Sequence, residues 1–250
     1  MTEKLSDEVV EKIRNFDANY ADIRSRLSAA CKEAGVSTDS VILLAATKTV
    51  PAEVINHAMD SGIEYIGENR VQELLSKKKD LKATAHRHFI GHLQTNKVKD
   101  IINEVEMIES VHSVKLAAEI EKCAAKAGKT MDVLLEVNIG GEQSKSGFTP
   151  DEAENAVAEI SKMPHLRVKG LMTIPPVCES TKKQIEYFTK MHKLFIDIRD
   201  KNMDNVNILY LSMGMSDDFE LAVKCGANIV RIGTALFGGY IAANVLKWHW

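Results

Sequence analysis

The chain has 250 residues, of which 45% are hydrophobic and 27% charged, with a net charge of −3 at neutral pH. Such a composition suits a single large core, about the 250 residues of a typical (β/α)8 barrel, and lacks the basic excess that nucleic-acid binding brings. The cysteines Cys31, Cys123, Cys178 and Cys225 form no C-x-x-C pair, which argues against a zinc site or a disulfide framework and for a reducing, cytoplasmic setting.

The acidic start "MTEKLSDEVVEK" has no signal core, and no apolar run reaches membrane-spanning length, so neither secretion nor a membrane is expected. Residues 6 to 34 carry Val9, Ile13, Phe16, Tyr20, Ile23, Leu27 and Ala30 at steps of three or four, with Gly35 placed to end the pattern. This spacing predicts a long amphipathic helix within an N-terminal helical extension over residues 1–39.

Short apolar runs then alternate with helical patterns: "VILLAAT", "IEYIG", "RHFIG", "MIESV", "DVLLEVNI", "LRVKGLMTI", "ILYLSMG" and "IVRIG". "VILLAAT" shows no polar alternation and reads as a strand buried on both faces, as in parallel sheets flanked by helices. An open doubly wound sheet would also alternate in this way. The position of the polar residues favours the barrel, because "TK", "GEN", "GHLQTNK", "NIGGEQSKSG", "MTIPP", "SMGMSDD" and "RIGTALFGG" each follow a strand and would converge on one face. The expected architecture is a single α/β domain, a (β/α)8 TIM barrel over residues 40–239 with a tail at 240–250.

Lys48 stands at the end of the first strand, and Pro51 opens the helix after it. Among apolar neighbours an ammonium loses solvation, and the neutral amine attacks aldehydes and ketones. The plainer reading is a turn lysine pointing to water. Two later loops, "SMGMSDDFELA" and "RIGTALFGG", fall where barrels bind phosphate, after strands seven and eight. There Gly214 and Gly233 allow close backbone approach, and Ser212, Ser216 and Thr234 offer hydroxyls; capped helix starts alone would look similar.

Arg231 lies inside "IVRIG", where a buried guanidinium demands either a core carboxylate or a ligand atom as partner. "HRHFIGH" clusters His86, His88 and His92 without a carboxylate or cysteine to complete a metal set, so hydrogen-bonded or solvated histidines are expected and no metal. "AGKT" at 127–130 follows a helical pattern and does not read as a phosphate loop. The long "NIGGEQSKSGFTPDE" is either a cover over the mouth or a solvated connection.

A reactive amine facing phosphate-binding loops suits a phosphorylated aldehyde, and pyridoxal 5'-phosphate is such a cofactor. "AATK", "GENRVQE", "HFIGHLQTNK", "KSGF", "GLMTI", "SMGMSDD" and "RIGTALFG" together resemble the pyridoxal phosphate homeostasis protein family, from about residue 40 to 239. The N-terminal helix and the tail "NVLKWHW" lie outside these motifs or match loosely. The resemblance implies a barrel like the N-terminal domain of alanine racemase, with a Schiff base of pyridoxal phosphate on Lys48. It also implies phosphate contacts from Ser216, Gly233 and Thr234, Arg231 facing the pyridine nitrogen, and Asn69 near the cofactor.

The resemblance further implies intracellular vitamin B6 homeostasis without efficient turnover, with pyridoxal-phosphate-dependent apoenzymes as candidate recipients and a monomer or weak dimer as the assembly. A second, racemase-type domain carrying an opposite-face base is not expected from the sequence. A weak amino-acid racemase and a cofactor-free Schiff-base aldolase are the alternative readings.

Overall fold

The computed structural model describes residues 6–178 and 180–238; the tail assigned to 240–250 lies outside them. Helix α1, Asp7–Ala34, starts where Ser6 accepts a hydrogen bond from the Val9 amide and ends at Gly35 in the left-handed conformation, φ 71°. Its buried stripe is Phe16, Ile23, Leu27, Ala30 and Cys31, the face that the three-and-four spacing marks out.

Eight strand–helix units follow. They are β1 Ile42–Ala46, α2 Ala52–Asp60, β2 Tyr65–Glu68, α3 Val71–Lys77, β3 His86–Phe89, α4 Val98–Ile101, β4 Met107–Val111 and α5 Val114–Ala127. The second half comprises β5 Met131–Glu136, α6 Pro150–Ile160, β6 Leu166–Met172, α7 Thr181–Arg199, β7 Val206–Ser212, α8 Phe219–Lys224, β8 Ile229–Ile232 and α9 Thr234–Phe237. The strands close in sequence order, and β8 pairs in parallel with β1, Leu44 opposite Arg231. This is the expected barrel.

Two apolar layers hold it. The larger lies between strands and helices, and the smaller fills the barrel with Leu44, Ile90, Met107, Leu134, Met172 and Ile229. Because side chains alternate along each strand, the same strands supply both layers, which is why their sequences read as continuous apolar runs.

Helix α1 is more than an appendage. It packs on α2, α8 and α9, its Phe16 ring stacks on Phe237 at 5.6 Å, and Asn19 donates to the carbonyls of Leu236 and Gly238. It therefore supports the last loop from outside, a role its position before the first strand does not suggest. Among the described residues no helix is long and apolar enough to cross a membrane, and the four cysteines are free.

Candidate functional site

At the carboxyl ends of the strands a cavity of about 490 Å³ opens between the first and last units of the barrel. Lys48, Asn69, Ser216, Arg231, Gly233 and Thr234 all line it, so the closure of β8 on β1 brings together residues far apart in sequence. Ser212 does not line it.

Lys48 sits in a turn after β1 that is closed by the Val50 amide donating to the Thr47 carbonyl at 3.1 Å. Lys48 is exposed, not sheltered among apolar neighbours as its place after "VILLAAT" suggests. The next residue, Thr49, has φ 62°, unusual for a β-branched residue and costing on the order of 1–3 kcal/mol.

The two late loops present free backbone. Gly214 takes φ 93°, and a Cβ there would come within 2.5 Å of the Ala222 methyl, so β7 can turn this tightly over α8 only with glycine. Among the described residues the amides of Ser216, Asp217, Gly233 and Thr234 have no hydrogen-bond acceptor, and all four residues line the cavity. Ser216 Oγ accepts from the Ala235 amide at 3.1 Å, which ties one loop to the other. Unpartnered amides around a concavity are what an anion requires.

Arg231 is buried, 4% exposed, and its hydrogen-bond partners are a hydroxyl and a backbone carbonyl. Among the described residues no carboxylate pairs with it directly. One terminal nitrogen donates to Ser212 Oγ at 2.5 Å and the other to the Thr173 carbonyl at 2.9 Å. Ser212 in turn donates to Glu109 Oε2 at 2.6 Å, and Glu109 Oε1 meets His88 Nδ1 at 2.7 Å. Thus Ser212 stands behind the arginine, with its hydroxyl engaged on both sides.

The charges respond to this arrangement. Burial pushes the Glu109 carboxyl up, but His88, Arg231 and the Ser212 hydroxyl outweigh it and hold the group below its usual range. Glu136, at the end of β5, has only the distant pull of Arg231 against burial and is raised to about 7. Asp218 is also raised by burial, against hydrogen bonds from the Met215 amide and Gln184 and the charge of Arg231. For Arg231 itself, burial lowers the pKa, and Glu109, Asp218 and Glu136 act against that fall.

The sequence reading passed over Glu68, Glu109 and Glu136. For Glu109 and Glu136 the signal is present, since each is a charge inside an apolar strand run, the feature that singles out Arg231; Glu68 falls in the polar stretch "GEN" and carries no such signal.

Asn69 follows β2 and approaches closely the loop after β3: a Cβ on Gly91 would lie 2.2 Å from the Asn69 carbonyl. The histidines of "HRHFIGH" separate. His86 meets Glu106 at the surface, His88 faces the barrel interior, and His92 stacks on His112 at 4.5 Å and contacts Ser146 Oγ. Among the described residues no three metal-ligating side chains gather. The "NIGGEQSKSGF" loop is tied down: Asn138 bonds to the carbonyls of Glu142 and Lys145, and Val137 bridges to Phe148.

Residues 13–241 match the family described as alanine racemase, N-terminal domain; the match begins inside α1 and so takes in a helix that the motifs alone leave out. The chain is 45% identical over 217 residues to the pyridoxal phosphate homeostasis protein of Aquifex aeolicus, covering 86% of this chain and 94% of that one. A crystal structure of an unknown protein from Bifidobacterium adolescentis superposes with TM-score 0.88 at 36% identity, over 94% of this chain and 98% of that one. The structure of PipY from Synechococcus elongatus PCC7942 with PLP bound superposes with TM-score 0.75 at 30% identity, over 86% and 100% of the two chains.

Proposed function

The chain belongs to the pyridoxal phosphate homeostasis protein family, within the alanine racemase N-terminal domain fold, and from that premise we propose that it binds pyridoxal 5'-phosphate in the cavity beside Lys48 and helps set the free level of this cofactor. The observation that carries the reading is the convergence of the Lys48 amine, one buried guanidinium and four unpartnered amides on a single cavity; Lys12, the other lysine that lines it, is ion-paired with Glu8 at 2.7 Å. A bound pyridoxal phosphate supplies an aldehyde open to a primary amine and a ring that draws electrons.

Each residue then has a part. Lys48 is the amine that captures the aldehyde. The amides of Ser216, Gly233 and Thr234, with the Ser216 and Thr234 hydroxyls, receive the phosphate. Arg231 faces the ring nitrogen as a donor; its guanidinium accepts no proton, so it holds that nitrogen unprotonated and discourages broad carbanion chemistry. Ser212 acts through Arg231 by fixing the guanidinium, and Asn69 borders the ring.

We place this activity in a single barrel domain with α1 as its N-terminal extension, in the cytoplasm. The assembly is a monomer or weak dimer, and pyridoxal-phosphate-dependent apoenzymes are the recipients. The separated free cysteines and the absence of a basic excess support this setting.

Mass spectrometry before and after borohydride reduction tests the assignment. The reduced adduct is expected on the peptide containing Lys48 and absent from Lys48→Ala, whose melting temperature stays near that of the unloaded protein. No uptake, or an adduct on another lysine, overturns it. Deuterium exchange at Cα of L-alanine, followed for the D form in the same preparation, separates a carrier from a weak racemase.

A further inference from the structure

The turn that carries Lys48 is gripped from behind by β2 and α3. Glu68 is 1% exposed, and its Oε1 accepts from Thr47 Oγ1 at 2.7 Å and from Lys77 Nζ at 3.1 Å. Lys77 Nζ also donates to the Thr47 carbonyl at 2.8 Å, the same oxygen that closes the turn. One residue beyond Lys48, the Thr49 amide donates to Glu73 Oε2 at 2.8 Å, and Glu73 lies 3.6 Å from Lys77. Among the described residues the side-chain holds on the turn therefore come from one short stretch, 68–77, beside the Gly67 carbonyl, which accepts from the Thr47 amide at 3.0 Å and from its hydroxyl at 3.3 Å.

Thr49 is the third residue of this turn, a position where positive φ favours glycine. A threonine stays there only if its surroundings over-determine it. The grip supplies that constraint, because releasing the Thr49 amide lets φ return to negative values and rotates the Lys48–Thr49 peptide. Lys48 is exposed, and among the described residues its Nζ makes no hydrogen bond or ion pair that would confine the side chain to the cavity.

Resting on the reading of Lys48 as the residue that captures the aldehyde, we propose that Glu68, Glu73 and Lys77 are positioning residues. They lock the Thr47–Val50 turn in its strained form and so aim the Lys48 amine into the cavity. Capture joins Nζ to the aldehyde carbon by a double bond, and the aldehyde oxygen leaves as water with the two protons of the neutral amine. The lock acts on this step through geometry and leaves the phosphate loops alone.

Glu73→Ala is the test, because Glu73 lies at the edge of the grip and its loss leaves the buried Glu68–Lys77 pair in place. In the unloaded protein, hydrogen exchange at the Thr49 amide should rise by about 10-fold or more. Capture of pyridoxal phosphate and of phosphate-free pyridoxal should slow equally, by about 10-fold. Adding Thr49→Gly, which adopts positive φ without strain, should restore capture to within about 3-fold of the wild-type rate.

An unchanged exchange rate, an unchanged capture rate, or a defect that glycine fails to relieve overturns the proposal. The last result would mean that α3 had merely loosened. A wild-type protein that captures no aldehyde at Lys48 would remove the functional reading instead, and the exchange measurement would still decide whether the turn is locked.

Discussion

Inside the barrel, Arg231 reaches the Glu109 carboxylate through the Ser212 hydroxyl, whereas outside it Lys77 meets Glu68 directly at 3.1 Å. The inner set is buried and reaches the cavity through Arg231, whereas the outer set joins the buried Glu68 to a half-buried Lys77. In the inner set each Glu109 oxygen has a hydrogen-bond partner. In the outer set Glu68 Oε2 is buried with none. The inner arrangement spreads the charge over four side chains and leaves the guanidinium free to serve the cavity. The outer one concentrates it on a single ammonium, which also holds the Thr47 carbonyl.

This contrast makes Lys77 the more fragile point. Replacing Lys77 by Met leaves Glu68 with a buried charge and no cation, and removing one partner of a buried pair costs about 3–5 kcal/mol. Urea unfolding at neutral pH should show that loss, and Glu68→Gln in the same chain should recover a large part of it. A single-variant loss below about 1 kcal/mol would show that water reaches Glu68 and that the outer set is no different from a surface pair.

The next largest effect separates the inner carboxylates by pH. Glu136 is raised by burial to about 7, so the folded protein holds a proton there that the unfolded chain has released. Its contribution to stability is full below the ordinary carboxylate value and is lost as pH climbs through about 7. Glu136→Gln should therefore gain stability relative to the wild type between pH 5 and pH 8, on the order of 2 kcal/mol. Glu109 has the opposite sign: its depressed value stabilises above the ordinary carboxylate range, and that stability is lost as pH falls through the folded value. A Glu136→Gln difference that does not vary across pH 5 to 8 would place that carboxylate in water.

The barrel was legible because its evidence is repetitive. Eight apolar runs, seven of them followed by a polar or glycine-rich loop, admit few architectures, and "VILLAAT" carries the unbroken apolar pattern of a strand covered on two faces. The cavity was legible at its rim, where Lys48, Ser216, Gly233 and Thr234 stand just past strand ends. What stayed hidden was the layer behind the rim. Glu109 and His88 face Arg231 across the barrel interior, a relation fixed by strand register, which one sequence does not display. The role of α1 was hidden for a similar reason, since its contact with the last loop joins Asn19 to Leu236, 217 positions away.

The smallest effects distinguish the two serines. Ser212 gives its proton to Glu109 and takes one from Arg231, so Ser212→Ala leaves both partners short and should lower stability by about 1–2 kcal/mol without a cofactor present. Ser216 only accepts, from the Ala235 amide, and its own proton is still available to an anion. Ser216→Ala should therefore cost the unloaded protein at most about 1 kcal/mol. Its affinity for pyridoxal phosphate should nevertheless fall by about 10- to 150-fold, the worth of one hydrogen bond to a charged group, while phosphate-free pyridoxal binds as before. Titrating both ligands against both variants checks this: equal losses for the two ligands in Ser216→Ala would assign that hydroxyl to holding the loops together, and the phosphate would then rest on backbone amides and Thr234.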